Sequence, residues 1–424
     1  MKKRVVITGL GVVSPNATGI RGFSHALANG VSGIRFDPEL DRLQFSCRIS
    51  AKPQLDNDTI LKYFTELELR NFNSTGILYG VIAGMQAWSD AGLTLPVAGI
   101  PDWDSGTIFG TGTSGIDKFR ESIYKIDDFQ TRKLGSTAVA QTMNSGVSAY
   151  LGGKLGLGNQ VTTNSSACTT GTESILMAYD RIALGKAKRI LAGSTSDSGP
   201  YIWGGFDAMK VCTFRHNDNP EQGSRPMSAT ASGFVPGSGA GALLLEDLDS
   251  ALERNATIYA EVLGGNVNSG GQRGGGTMTA PNPDAVKKCI TAALADAGIA
   301  PADIDAINGH LTATSKDSLE IQNWTEALGR EGADFPYINS LKSTVGHCLS
   351  AAGSIESVAA VLQIHEGFIF PNVNCNDLHP EIAARISAGK VPLKAIYRDI
   401  NVVAKASFGF GDVNGCVIFR KYHK

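Results

Sequence analysis

The sequence predicts an α/β protein built from two similar halves, and three observations carry that expectation. Eight short apolar runs read as buried strands: 4–10, 105–112, 189–195 and 241–247, then 258–265, 304–310, 335–341 and 401–408. Between them, apolar residues recur at helical spacing over 76–91, 171–185, 284–297, 315–328 and 353–366. Strands alternating with helices point to sheets whose faces are covered. Third, the second half echoes the first. "GTESILMAYDRIALG" (171–185) and "GSIESVAAVLQIHEG" (353–367) begin and end with Gly and largely share apolar positions at an offset of 182. "FGTGTSGID" (109–117) likewise echoes "GHLTATSKD" (309–317) at an offset of 200. Such a repeat implies two halves placing equivalent loops near a common axis. The division falls in the charged stretch "EDLDSALERNAT" (246–257), which gives halves of 1–250 and 251–424.

Composition narrows the function. The chain has 424 residues, enough for a large core, and only 18% charged residues, below the roughly 25% of ordinary globular chains. Much of it is therefore expected to be buried, some in a subunit interface. A net charge of −2 and 7% aromatic residues argue against nucleic-acid binding. The basic N-terminus leads into a short apolar run broken by "GLG" and "SPN", which reads as a strand and turn rather than a secretion signal. No run approaches the ~18 apolar residues of a membrane span. Seven cysteines without C-x-x-C spacing fit neither a disulfide framework nor a zinc site, so a reducing cytoplasm is the expected compartment.

Cys168 lies in "TTNSSAC", immediately before the 171–185 helix. The hydroxyl residues suit a helix cap, and the positive end of the helix dipole would favour the nucleophilic thiolate. A buried structural cysteine fits the same context about equally well. Among seven histidines, His310 ends a strand and His347 sits in a Gly-rich turn before the helix that echoes the Cys168 helix. Pseudo-twofold packing would bring His347 to Cys168; a hydrogen-bonded structural role is the alternative. Lys342, five residues before His347, reads either as a solvated strand end or as a charge in the site. "ASFGFGDVNG" (406–415) is either an ordinary turn or a backbone loop able to donate N–H groups to an oxyanion. "VITGLGVVSP" lacks the third Gly of a dinucleotide turn and is rejected as one.

Taken in order, "RVVITGLGVVSP", "SSACTTG", "SRPMSATASGFVPGSGAGALLLED", "NGHLTATSKDSLE", "LKSTVGHCLSAAGSIES" and "ASFGFGDVNG" resemble the β-ketoacyl-acyl carrier protein synthases, most closely the synthase II type. The resemblance covers essentially the whole chain. It implies a thiolase-like fold, two duplicated α/β halves in five α-β-α-β-α layers, and a homodimer. It implies a decarboxylative Claisen condensation in fatty-acid, polyene or polyketide synthesis, with Cys168 as acyl-accepting nucleophile and His310 and His347 beside it. Lys342 matches the family's active-site lysine and Glu320 its downstream acid. Phe410 matches the gating phenylalanine whose N–H joins that of Cys168 in the oxyanion hole. Thr312 and Thr314 match threonines that contact phosphopantetheine. That arm arrives on the carrier protein, and no cofactor or metal is bound permanently. Arg132, Lys133 and Arg215 match basic contacts for the acidic carrier protein.

Several positions depart from the family pattern. Leu311 replaces Gly in "HLTAT", and the His310–Glu320 interval is one residue short. Ser232 and Ser238 replace acids, Thr277 stands in a His position, and Asp412 replaces the last Gly of "GFGG". None removes a catalytic group; together they suggest a divergent member in a specialised pathway. The rival reading is a non-catalytic chain-length-factor-like partner subunit. Such subunits lack the nucleophilic Cys, which this chain keeps with both histidines. A thiolase would carry a second catalytic Cys near its C-terminus, where this chain has "GFGFGD", and nothing favours a Cys-His hydrolase.

Overall fold

The computed structural model describes residues 2–97 and 99–423. The first run of elements is β1 (Val5–Ser14), α1 (Thr75–Asp90), β2 (Ser105–Thr111), α2 (Gly146–Leu155), β3 (Val161–Thr162), α3 (Thr170–Ala183), β4 (Arg189–Ser196) and β5 (Gly239–Asp247). The second is β6 (Ala260–Ser269), α4 (Pro283–Ala297), β7 (Ala306–Asn308), α5 (Asp317–Leu328), β8 (Tyr337–Asn339), α6 (Ala352–Glu366), β9 (Val402–Gly409) and β10 (Val413–Arg420).

The two runs share one topology. Across the sheet the order is β8-β7-β9-β10-β6-β1-β5-β4-β2-β3. Counted from its own first strand, each set therefore reads first, fifth, fourth, second, third. In each set the first two pairings are antiparallel and the last two parallel. Helices α3 and α6 start 182 residues apart, the offset of the sequence echo.

Three apolar clusters stack these elements into five layers. Helices α1 and α2 cover the outer face of the first set through residues such as Val81 and Leu151. Helices α4 and α5 cover the second through Ile290 and Trp324. Between the sheets lie α3 and α6, contributing Ile175, Ile182, Ile355 and Val358 to one central core. Ala352–Ile364 of α6 is buried on every side, as a helix sandwiched between two sheets must be. Small residues let the middle helices meet. A Cβ on Gly171 would lie 2.3 Å from Ser354 N, and one on Gly353 would lie 2.6 Å from Thr172 N. These two glycines are themselves 182 apart, so the contact is reciprocal.

At the centre, β1 pairs antiparallel with β6 through Val5, Ile7 and their partners Val262 and Ala260, joining both sets into one ladder. The "GLG" glycines lie inside β1. A Cβ on Gly9 or Gly11 would meet Ala87 O at 2.1 Å or Ala83 O at 1.9 Å, so they seat α1 on the strand. Among the described residues no helix is long and apolar enough to cross a membrane.

Candidate active site

Cys168 occupies a 3-10 turn, Ala167–Thr169, that feeds directly into α3. Ala167 is held at φ +49, and its counterpart 182 residues on, Leu349, at φ +50 in the matching turn before α6. A bulky residue rarely adopts this conformation, so the duplication has kept one strained turn in two places. In the first, the residue after the strain is Cys168; in the second it is Ser350. The hydroxyl side chains tie the turn instead of capping the helix. Thr170 Oγ1 donates to Ala167 O at 2.7 Å and accepts from Ser166 N–H at 2.9 Å, while Thr169 makes no cap.

The structure brings the predicted chemistry together. Cys168, His310 and His347 offer Sγ and ring nitrogens that all lie within 4.8 Å of one another. The imidazoles stand nearly perpendicular, 82°, with centroids 5.5 Å apart. Phe234 packs edge-on to His347 at 5.1 Å, and Phe408 lies 6.2 Å from His310. Leu349 N–H donates to His347 Nδ1 at 3.1 Å, which places the proton of the neutral ring on Nε2. Among the described residues His310 Nδ1 has no hydrogen-bond partner, but the His310 backbone is fixed. The N–H groups of His310 and Leu311 donate to the two oxygens of Glu320, each at 2.7 Å.

Electrostatics corrects one expectation. The helix start favours a thiolate, but burial dominates and pushes the Cys168 thiol up to about 11, against the pull of Lys342 and of the amides of Phe410 and Cys168 itself. Phe410 lines the same cavity as Cys168, so its backbone lies close to the thiol. Both histidines are held well below their ordinary range, by burial first and then by nearby cations, so both are neutral at pH 7. Burial also raises Glu320 to about 7 and Asp317 to about 6. Lys342 is no solvated strand end: it is buried and pairs with the buried Glu356.

A cavity of about 270 Å³ opens onto Cys168, His310 and His347 and is lined by Thr312, Thr314, Glu320 and Phe410. Thr312 and Thr314 share a 3.0 Å hydroxyl contact, and Asp317 accepts the N–H groups of Thr312 and Ala313 at 2.9 and 3.1 Å. This carboxylate holds a loop whose Leu311 and Ala313 have φ of +22 and +61. Arg132, Lys133 and Arg215 are exposed, and none of them lines the cavity.

Sequence reasoning passed over three buried charged residues here: Asp317, Glu356 and Lys405. Two had a signal. Glu356 is the one acid in the buried stretch Ala352–Ile364 of α6, and Lys405 a lone cation in an apolar strand, positions that charged residues occupy only with a partner.

Residues 2–251 match the beta-ketoacyl synthase N-terminal domain and residues 259–376 the beta-ketoacyl synthase C-terminal domain. The chain belongs to the beta-ketoacyl synthase family. It is 34% identical over 424 residues to 3-oxoacyl-[acyl-carrier-protein] synthase 2 of Vibrio harveyi, covering 99% of each chain. A beta-ketoacyl synthase from Burkholderia phymatum superposes with a TM-score of 0.88 at 29% identity, over 99% of this chain and 100% of that one. A ketosynthase from a type II PKS, solved in complex with its acyl-carrier protein and bound to the hexaketide, gives 0.87 at 26% identity over the whole of both chains. The beta-ketoacyl synthase fold is thiolase-like, in agreement with the duplicated topology described above.

Proposed function

We propose that this chain is a β-ketoacyl-acyl carrier protein synthase that elongates an acyl group held on Cys168 by decarboxylative condensation with malonyl-carrier protein. The observation that carries the reading is the set of Cys168, His310 and His347 within 4.8 Å on one cavity that Phe410 also lines.

The reaction follows from those atoms. Cys168 Sγ attacks the acyl thioester; neutral His310 takes the thiol proton and passes it to the departing carrier thiol. Malonyl-carrier protein then enters, its phosphopantetheine arm beside Thr312 and Thr314. The bond to its free carboxylate breaks, carbon dioxide leaves, and the electron pair moves onto the thioester as an enolate. His347 Nε2–H and a His310 N–H donate to that oxygen. The carbanion attacks the acyl-Cys168 carbonyl, whose oxyanion rests on the amides of Cys168 and Phe410. Collapse frees the cysteine and yields a 3-oxoacyl-carrier protein two carbons longer. Lys342 steadies the charge balance, and Glu320 positions the His310 backbone.

The chain is read as a cytoplasmic homodimer with repeat units 1–250 and 251–424, docking its carrier protein near Arg132, Lys133 and Arg215. Phosphopantetheine is supplied by the carrier protein, and no cofactor is held between turnovers. The loop departures at Leu311, Thr277 and Asp412 support a specialised substrate.

A product assay with malonyl-carrier protein and a panel of acyl-carrier proteins tests the reading. A two-carbon extension of at least one primer is expected, and no extension of any would reject it. A cerulenin-like electrophile should label Cys168 on mass mapping. His310→Ala or His347→Ala should abolish malonyl decarboxylation, and an unchanged rate would remove that histidine from the mechanism.

A further inference from the structure

Strand β9 carries one charged residue among Val402, Val403, Ala404 and Ala406. Lys405 is fully buried. Its Nζ lies 2.7 Å from Glu356 Oε2, donates to Ser407 Oγ at 2.8 Å, and also bonds the Ala406 carbonyl. The other oxygen of Glu356 is taken by Lys342 Nζ. One buried carboxylate thus stands between two buried amines; burial lowers the Lys405 pKa from its ordinary 10.5 while Glu356 favours its proton, and with both amines protonated the cluster carries one unbalanced positive charge. The other titratable groups facing Lys405 are Glu320 on α5, Cys416 on β10, and His310 and His347. Glu320 is already bound to two backbone amides and raised toward neutrality by burial, so it offsets the excess only in part. A buried net charge is costly unless a partner offsets it.

We propose that Lys405 is a positioning residue of the condensation, its ammonium supplying, through the cluster shared with Glu356 and Lys342, the unbalanced positive charge that an enolate oxygen meets at His310 and His347. The proposal rests on the ketosynthase reading. The chain path supports it: Lys405 is followed on the same strand by Gly409 and then Phe410 at the cavity, and Lys342 leads through a short helix to His347. Excess positive charge opposes a proton on either imidazole, so each ring stays a neutral donor. It also favours negative charge that develops in the transition state over a thioester that is neutral before it, which is the condition for catalysis rather than uniform binding. Acyl transfer places its oxyanion on the Cys168 and Phe410 amides instead and depends on this charge less.

The test compares wild type with Lys405→Met, which keeps the stem and removes the charge. Malonyl decarboxylation and acyl transfer to Cys168 are followed over pH 5–9, and the histidine ring protons are titrated by NMR on the same folded proteins. In Lys405→Met the acid limb of decarboxylation and the histidine titrations move up by ~1 pH unit. The decarboxylation rate falls about tenfold and acyl transfer less than about threefold. Adding Glu356→Gln to Lys405→Met restores one net positive charge through Lys342, and the acid limb returns toward wild type, which a merely structural lysine would not produce. Lys405→Gln serves if Lys405→Met does not fold. Profiles and histidine titrations that superpose on wild type overturn the proposal. A wild-type protein that accepts no acyl group and decarboxylates nothing overturns the ketosynthase reading instead, and the histidine titrations still decide the role of Lys405.

Discussion

At neutral pH Cys168 is a thiol, because burial outweighs the helix end, Lys342 and two amides. Its reactivity must therefore come from proton removal at the moment of attack rather than from a standing thiolate. Alkylation of Cys168 by iodoacetamide should rise about tenfold per pH unit from pH 7 to about 10, without the plateau of a low-pKa cysteine. Mass mapping of quenched samples reads this directly, and a plateau below pH 8 would contradict it. Glu320 gives the second pH signature. Its folded value of about 7 lies above its ordinary 4.5, so across that interval the folded state binds more protons than the unfolded one. The linkage relation then makes its contribution fully present below about 4.5 and lost as pH rises to about 7. Glu320→Gln removes that loss along with an acceptor for the His310 and Leu311 amides. The variant should be less stable than wild type at pH 5, with the gap closing by roughly 1–3 kcal/mol at pH 8. A constant gap in urea unfolding across that range would show that Glu320 does not titrate there.

Between elements, close approach decides what each position tolerates. Gly171 has no room for a Cβ against Ser354 N in the α3–α6 crossing, so Gly171→Ala should cost about 1–3 kcal/mol by forcing two packed helices apart. Gly153 in α2 has nothing within 4 Å, and Gly153→Ala should stabilise by about 0.5–1 kcal/mol from helix propensity alone. Equal effects in thermal unfolding would refute the distinction. Asp412 ties two loops: its carboxylate accepts Asn282 N–H at 2.8 Å and Gln272 N–H at 3.1 Å, while the neighbouring Gly411 N–H reaches Met278 O at 2.8 Å. Asp412→Gly relieves φ +61 but frees the loop over the cavity, so trypsin should cut after the exposed Arg273 faster than in wild type. An unchanged cleavage rate would mean the backbone contacts alone hold the loop. These elements were differently legible in the sequence. Helix α4 could be read to within a residue because Pro283 opens it, the Asn282 side chain caps it, and Gly298 at φ +65 ends it. The equivalence of α3 and α6 showed in paired glycines. The Asp412 tie did not show, since its partners are backbone amides some 130 residues away, and the Lys405–Glu356–Lys342 cluster joins a strand and two helices that no local pattern connects.

At the scale of the whole molecule, a repeat with a clear sequence echo invites the picture of two independently folded domains, and the packing argues against it. Each set of strands needs α3 or α6 on its inner face, and both helices belong to one apolar core that draws on both sets. The ladder runs unbroken from β8 to β3 through the β1–β6 pairing. Buried hydroxyl bonds cross between the runs, Ser194 to Ser354 at 2.7 Å and Thr172 to Ser407 at 2.9 Å. Opening either half alone would expose the other's share of the middle layer and strand these groups, so partial unfolding forfeits nearly as much burial as complete unfolding. The active site has the same dependence: Cys168 comes from the first run and His310, His347, Lys342 and Phe410 from the second. Calorimetry should therefore show one unfolding transition whose calorimetric and van't Hoff enthalpies agree for the unit that melts, with Cys168 labelling and tryptophan fluorescence changing at the same temperature. Two resolved transitions, or loss of the site well before loss of the core, would mean that the halves hold their folds separately.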